Sequence, residues 1–272
     1  MKRARLLLAV ALAIAFVGAG CTTSAPPITP GGQQAEIVEP AWHEAGDGVM
    51  RFETSYGSGN VLGSLRIYQF PSTGWQWSFA QSTSAATVRE WATRIPDASV
   101  VLNGVYFHED NLPSGAFVSK GERVGSRAFD TDKSALIVLA PTPRIVDLTK
   151  EPNAIERAIE AAQTFPYLIK DRAAAVSEDS GKLAERSFVG TDTRGRFYVG
   201  VAINASLSLY ELSHLLADQP IEWQDVVNLD GGPSTGVLVD LQKENRSRTS
   251  LAPVSNVIVG RIIPPSSPSP AP

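Results

Sequence analysis

Cysteine is almost absent: Cys21 stands alone in 272 residues, so no intrachain disulfide can staple the fold and no thiolate cluster can hold a metal. Histidine is nearly as scarce. His43, His108 and His214 lie far apart, and neither a His-Glu-x-x-His pattern nor a calcium-type Asp-x-Asp-x-Asp loop occurs. No glycine-rich turn joins a strand to a helix in a βαβ unit, which removes the usual dinucleotide and nucleotide motifs. The expectation is a chain with no metal and no cofactor. Positive charge is also in short supply, with 24 Lys+Arg against 28 Asp+Glu and a formal net charge of −4. No basic run is interleaved with aromatics, so nucleic acid drops out as a partner.

Apolar runs are short, with one exception at the start. Lys2, Arg3 and Arg5 precede apolar residues 6–17, and Gly18-Ala19-Gly20-Cys21 follows. That is the charged, apolar and small-residue order of a bacterial secretory signal. It is shorter than the roughly 20 residues of a comfortable bilayer span. The last four residues resemble a lipobox, in which the cysteine is diacylated after cleavage. The expectation is therefore a signal peptide at 1–20, a lipid anchor at Cys21, and an extracytoplasmic protein tied to a bacterial membrane. Removing the signal leaves 252 residues and takes the formal charge from −4 to −7, because it carries three bases and no acid. Residues 21–36 are rich in Thr, Ser, Pro and Gly and read as a tether. The Pro/Ser stretch at 264–272 reads as a disordered tail. Between them, 37–263 reads as one domain.

Within that span, segments 49–54, 62–70, 75–80, 99–102, 135–139, 196–203, 226–229, 237–241 and 256–262 are alternating or continuously apolar. They are rich in β-branched and aromatic residues, the pattern of strands. Three stretches have helical spacing behind a capping box: Val88, Trp91, Ala92 and Ile95 after Thr87-x-x-Glu90; Ile155, Ala158, Ile159 and Ala162 after Asn153-x-x-Glu156; Leu209, Leu212 and Leu216 after Ser208-x-x-Glu211. Many strands and few helices without regular βαβ alternation predict an α+β fold, with a mixed twisted sheet and a few packed helices in a single domain.

Two loops concentrate chemistry. In the first, a buried-type strand runs into Asp230-Gly231-Gly232-Pro233-Ser234-Thr235-Gly236, and another apolar strand follows. Glycines let main-chain amides approach a ligand and two hydroxyls stand beside an acid, which suits an anion or a sugar. A hairpin turn is the plainer alternative. Gly232-x-Ser234-x-Gly236 imitates a serine-hydrolase elbow. However, a strand rather than a helix follows it, and all three histidines precede the serine. In the second loop, Asn103-Gly104-Val105-Tyr106-Phe107-His108-Glu109-Asp110 brings an amide, two rings and titratable groups to one strand end, a mixture that holds sugars. Taken alone, Asn-Gly also reads as a turn. Trp75 and Trp77 alternate on a strand and read as packing rather than as a carbohydrate platform.

Six motifs occur in a recognisable order. They are Asn103-Gly-Val-Tyr-Phe107, Phe165-Pro-Tyr-Leu168, Arg186-Ser-Phe-Val-Gly190 leading to Gly195-x-Phe-Tyr-Val199, Leu209-Tyr-Glu-Leu212, Asn228-Leu-Asp-Gly-Gly-Pro-Ser-Thr235 and Val254-Ser-Asn-Val257. In this order the sequence resembles the phosphodiester glycosidase family over about 100–262. It departs from the family at Val105 and Phe165, where glycines are usual. The resemblance implies cleavage of a sugar-1-phosphodiester at the anomeric carbon, leaving a phosphomonoester. It implies Asp230 as the carboxylate at that carbon and Arg186 as the phosphate grip. Asn103, Gly104, Tyr106, Gly231, Gly232, Ser234, Thr235 and Asn256 would bind substrate, the two asparagines orienting sugar hydroxyls. The partner expected is a phosphodiester-linked sugar or envelope glycan. A second carboxylate stays open among Glu109, Asp110 and Asp192. A non-catalytic glycan-binding lipoprotein on the same scaffold is the alternative.

Overall fold

The computed structural model describes residues 38–125 and 129–264. The expected signal peptide, lipid anchor at Cys21 and tether, and the expected tail from 265 on, fall outside these residues. In chain order the strands are β1 (Ala41–Gly46), β2 (Val49–Ser58), β3 (Val61–Phe70) and β4 (Trp75–Ala86), followed by helix α1 (Val88–Arg94). Next come β5 (Val100–Asn103), β6 (Phe117–Ser119), β7 (Glu122–Val124), β8 (Ala135–Val138) and β9 (Arg144–Asp147). A 3-10 turn at Ala154–Arg157 precedes β10 (Ala161–Thr164), β11 (Tyr167–Lys170), β12 (Ala173–Ala174), β13 (Ala184–Asp192) and β14 (Phe197–Leu207). Helix α2 (Leu209–Ala217), β15 (Trp223–Asn228), a 3-10 turn at Gly232–Ser234, β16 (Val237–Leu241), β17 (Glu244–Arg248) and β18 (Val254–Ile262) complete the described order.

These strands build three sheets, ordered β1-β2-β3-β14-β13-β15-β11-β12, β7-β6-β10-β8-β9 and β17-β16-β5-β18-β4. Every named strand pairing among the described residues is antiparallel. The expected mixed sheet is thus corrected, and the fold is more sheet-dominated than the α+β expectation. Parallel neighbours need long crossovers, whereas most of these strands are joined by short turns. All nine anticipated strands are present. The unanticipated ones are mostly short or carry polar faces, such as β17, whose central residues are exposed.

One apolar cluster draws on all three sheets, from Val49, Tyr68 and Val199 through Phe117 and Ile137 to Val100 and Ile258. Trp75 and Trp77 belong to it, 7% and 3% exposed and packed against Phe70 and Phe197, so they are core and not a sugar platform. Both terminal helices of the prediction form with their capping boxes. Thr87 and Glu90 close the start of α1, and Ser208 and Glu211 the start of α2, each side chain bonding the other's amide. The helix expected around 153–162 is replaced by the short 3-10 turn, with no side-chain cap from Asn153. Ala161 and Ala162 are drawn instead into β10, between β6 and β8, so tertiary pairing overrides a local helical period.

Candidate functional site

Strand β15 belongs to the eight-stranded sheet and β16 to the sheet that contains β5. The Asp230–Gly236 segment is therefore a crossing between sheets, not a hairpin. Gly232 takes φ +61° to enter the 3-10 turn, a conformation glycine adopts without strain. Strand β16 follows this turn, as a serine-hydrolase elbow would not allow.

Main-chain and buried polar groups fix the crossing. The Asp230 amide donates to the Gly104 carbonyl at 3.1 Å. The Asp230 carbonyl accepts from Asn103 Nδ2 at 2.6 Å and from Ser187 Oγ at 2.8 Å. Asn103 Oδ1 accepts the Gly236 amide at 3.1 Å, so one side chain grips both ends of the turn. Gly104 is needed by close approach: a Cβ there would stand 2.0 Å from Asn256 Oδ1. Asn256 in turn clasps the Val105 backbone, accepting its N–H at 2.8 Å and donating to its C=O at 3.0 Å. Both asparagines are fully buried. This corrects the expectation that they orient sugar hydroxyls, because their amides are committed to the two loops and act as positioning groups.

Asp230, Arg186, Tyr106 and Ser234 do come together. Burial pushes the Asp230 carboxyl above the usual carboxylate range, against the Ser234 hydroxyl and the Gly231 N–H, which favour its ionised form. Burial, and then the negative charge of Asp230, push the Tyr106 phenol up to about 12, with Arg186 acting in the opposite sense. Tyr106 thus feels both charges, and Asn228 Nδ2 donates to its oxygen at 2.5 Å. Arg186 is 8% exposed. Its Nε donates to the Leu207 carbonyl at 3.0 Å and its Nη2 to the Lys182 carbonyl at 2.6 Å. A Cβ on Gly231 would lie 3.7 Å from Nη1. No acid pairs with this guanidinium among the described residues, and desolvation lowers its affinity for its proton.

Unused hydrogen-bonding capacity collects here. Among the described residues, Asn228 Oδ1 and Thr235 Oγ1, just before and at this turn, are buried side-chain atoms without a partner, and a buried polar atom left unsatisfied calls for an explanation. An aromatic wall adjoins them: Tyr106 lies 5.1 Å from Phe165 and 6.5 Å from Phe129, ring centre to ring centre. Phe165 is exposed at the surface, whereas Val105 is 1% exposed and packs in the core. Sequence reasoning missed Ser187, Phe129 and the role of Asn228. The signal available was that Ser187 and Asn228 lie on apolar strands, where a buried polar side chain needs a reason. Asp192 is not a second carboxylate of this site. It is held by Arg196 Nε at 2.6 Å and the Tyr198 hydroxyl at 3.0 Å, at the other end of β13. Glu109 and Asp110 lie exposed on the loop after Tyr106.

A cleft of about 900 Å³ lies elsewhere, between β4, α1 and β6, with Arg94, Lys120 and Arg261 offset by Asp97, Glu122 and Glu160. None of the buried unpartnered side-chain atoms among the described residues lines it, so its volume does not outweigh the chemistry at Asp230. Among the described residues no group of three His, Cys, Asp or Glu is placed to hold a metal ion, and no helix is long and apolar enough to cross a membrane.

Comparison with known proteins bears on this arrangement. No curated protein matches the sequence. A solved structure of a hypothetical protein from Synechocystis is similar with a TM-score of 0.60 at 16% identity, over 85% of this chain and 65% of that one. The catalytic domain of zebrafish N-acetylglucosamine-1-phosphodiester alpha-N-acetylglucosaminidase, auto-inhibited by its pro-peptide, is similar with a TM-score of 0.59 at 15% identity, over 82% of this chain and 87% of that one. At such identities the likeness is one of fold. A family model described as phosphodiester glycosidase matches residues 96–260, which hold β5, β15, the crossing turn and Arg186. With well over half of its length matched by that model, the chain belongs to the phosphodiester glycosidase family.

Proposed function

We propose that this protein is an exported, lipid-anchored hydrolase that cleaves the glycosidic bond of sugar-1-phosphodiesters, releasing the sugar and leaving a phosphomonoester. The observation that carries this reading is a buried guanidinium that no acid pairs with among the described residues and a half-buried carboxylate, both near enough to act on one tyrosine, Tyr106. Opposite charges gathered at one turn suit a substrate that is anionic at one end of the scissile bond and becomes cationic at the other. Arg186 Nη1 receives the phosphate, a planar donor matched to its oxygens. A phosphomonoester is a good leaving group, so acid assistance matters less than grip. The C1–O bond breaks with its electron pair going to the phosphate oxygen. Water supplies the hydroxyl to C1 and releases one proton.

Asp230 supplies negative charge to the oxocarbenium-like centre, and poor solvation strengthens that attraction. Tyr106 and Phe165 offer ring faces to the apolar side of the sugar. Ser234 holds the carboxylate in its ionised form. Val105 lends no weight to the non-catalytic alternative, because its side chain is buried in the core. Replacing Asp230 by Asn is expected to reduce sugar release by about 10³-fold or more, and Arg186 by Ala by about 10²- to 10³-fold, with both variants folded by circular dichroism. Binding of sugar-1-phosphodiesters without any turnover by the unaltered protein would favour the non-catalytic alternative instead.

A further inference from the structure

Two apolar side chains stand out at the rim of this site. Leu251 and Leu183, 74% and 58% exposed, are the most exposed large hydrophobics among the described residues. Single exposed leucines are ordinary on a protein surface, but these two are carried by segments stitched to the same turn. The amides of Leu251 and Ala252 both donate to the Pro233 carbonyl, at 2.8 and 2.9 Å. Leu183 lies between Lys182, whose carbonyl accepts Arg186 Nη2, and Ala184, whose Cβ is 3.8 Å from the Cβ position of Gly232. The bidentate pair of Arg248 Nη2 with Glu185, at 2.7 and 2.8 Å, ties the two segments together. Pro233 itself is exposed between them. The aromatic wall of Tyr106 and Phe165 provides a separate surface for the sugar.

Apolar surface that remains in water beside an anion grip has the polarity of an amphiphile turned inside out. We infer that the second ester of the substrate carries a long hydrocarbon chain, which lies along Leu183, Pro233 and Leu251 while Arg186 holds the phosphate. The substrate class is thus a lipid-linked glycosyl phosphate, the alcohol leaving as its alkyl phosphate. The inference rests on the reading of Asp230 and Arg186 given above. Burying each methylene of the chain is worth about fourfold in binding, and two or three buried methylenes suffice for a tenfold preference.

The test compares the methyl and octyl esters of one sugar 1-phosphate, the octyl ester below its micelle concentration, with the full chain and its Leu183→Ser/Leu251→Ser double variant. Both positions are exposed, so the fold does not depend on them. The expected result is a kcat/KM at least about tenfold higher for octyl than for methyl, with that ratio falling toward one in the variant. Equal kcat/KM for the two esters in the unaltered protein, or a ratio the variant leaves intact, overturns the inference while the glycosidase reading stands. If neither ester is cleaved, the catalytic reading falls. Calorimetric binding of the same two esters then decides the inference, with tighter binding of the octyl ester supporting it and equal binding overturning it.

Discussion

The Asp230 carboxyl keeps its proton more tightly than an ordinary aspartate, because burial outweighs the opposing pull of the Ser234 hydroxyl and the Gly231 N–H beside it. Two consequences follow in opposite assays. In activity, loss of the carboxylate's charge on acidification places the acid limb of kcat/KM above the ordinary aspartate value of about 3.9. Ser234→Ala removes a hydroxyl that favours the ionised form, so it moves that limb to still higher pH; a limb that stays put or moves down contradicts the assignment. In stability, a carboxyl whose folded value is raised binds its proton better in the folded state. Its contribution is present at acid pH and is lost as pH rises from the ordinary carboxylate value through the raised one. Asp230→Asn therefore raises the neutral-pH Tm relative to the unaltered chain, and the gain disappears below about pH 4. A uniform loss of Tm at both pH values would mean the carboxylate is structural.

What was legible at this scale was charge. Asp230 and Arg186 stand in motifs whose order identifies the family, and the structure gathers them. Burial was not legible: nothing in the letters around Asn103 or Asn256 tells whether an amide meets a ligand or a backbone. The fold resolves it by using both to clamp loops.

Among the elements, start signals were read well. Thr87-x-x-Glu90 and Ser208-x-x-Glu211 are local chemistry, complete within four residues, and both form as anticipated. Thr87→Ala should cost about 1 kcal/mol in urea unfolding, with no change in kcat, since α1 packs on the β5 and β18 side of its sheet and supplies none of the polar groups gathered around Asp230. The stretch 153–162 failed because its period was decided by partners distant in sequence, β6 and β8. The loop leaving β5 is similarly over-determined by distant residues. Gly104→Ala drives a methyl into the Asn256 amide and toward the Asn256 carbonyl 2.9 Å away. A loss of about 2 to 3 kcal/mol is expected, and with it a fall in activity, because the Gly104 carbonyl positions Asp230. Alanine tolerated without change in either readout would show the loop to be freer than this geometry allows.

Across the whole molecule, the sheets are joined by more than apolar packing. Glu53 and Glu244, with side chains about a tenth exposed or less, gather Arg51, Arg66 and Arg246 between the eight-stranded sheet and β17, and Tyr68 donates to Glu244 at 2.7 Å. Glu244→Gln leaves Glu53 alone to balance Arg51, Arg66 and Arg246 and should cost about 3 kcal/mol, read from the urea midpoint. The number of strands was under-read and their pairing misjudged for the same reason: pairing is a property of segments far apart, and polar edge strands carry little local signal.

The account as a whole stands on where the bond breaks. Hydrolysis of a sugar-1-phosphodiester in water enriched with oxygen-18 places the label according to the atom attacked. Attack at the anomeric carbon puts the isotope in the C1 hydroxyl of the released sugar and leaves the phosphomonoester unlabelled in its phosphorus resonance, which is the result expected here. Label in the phosphate, with none at C1, would mean attack at phosphorus, and the roles given to Asp230 and Arg186 would be contradicted.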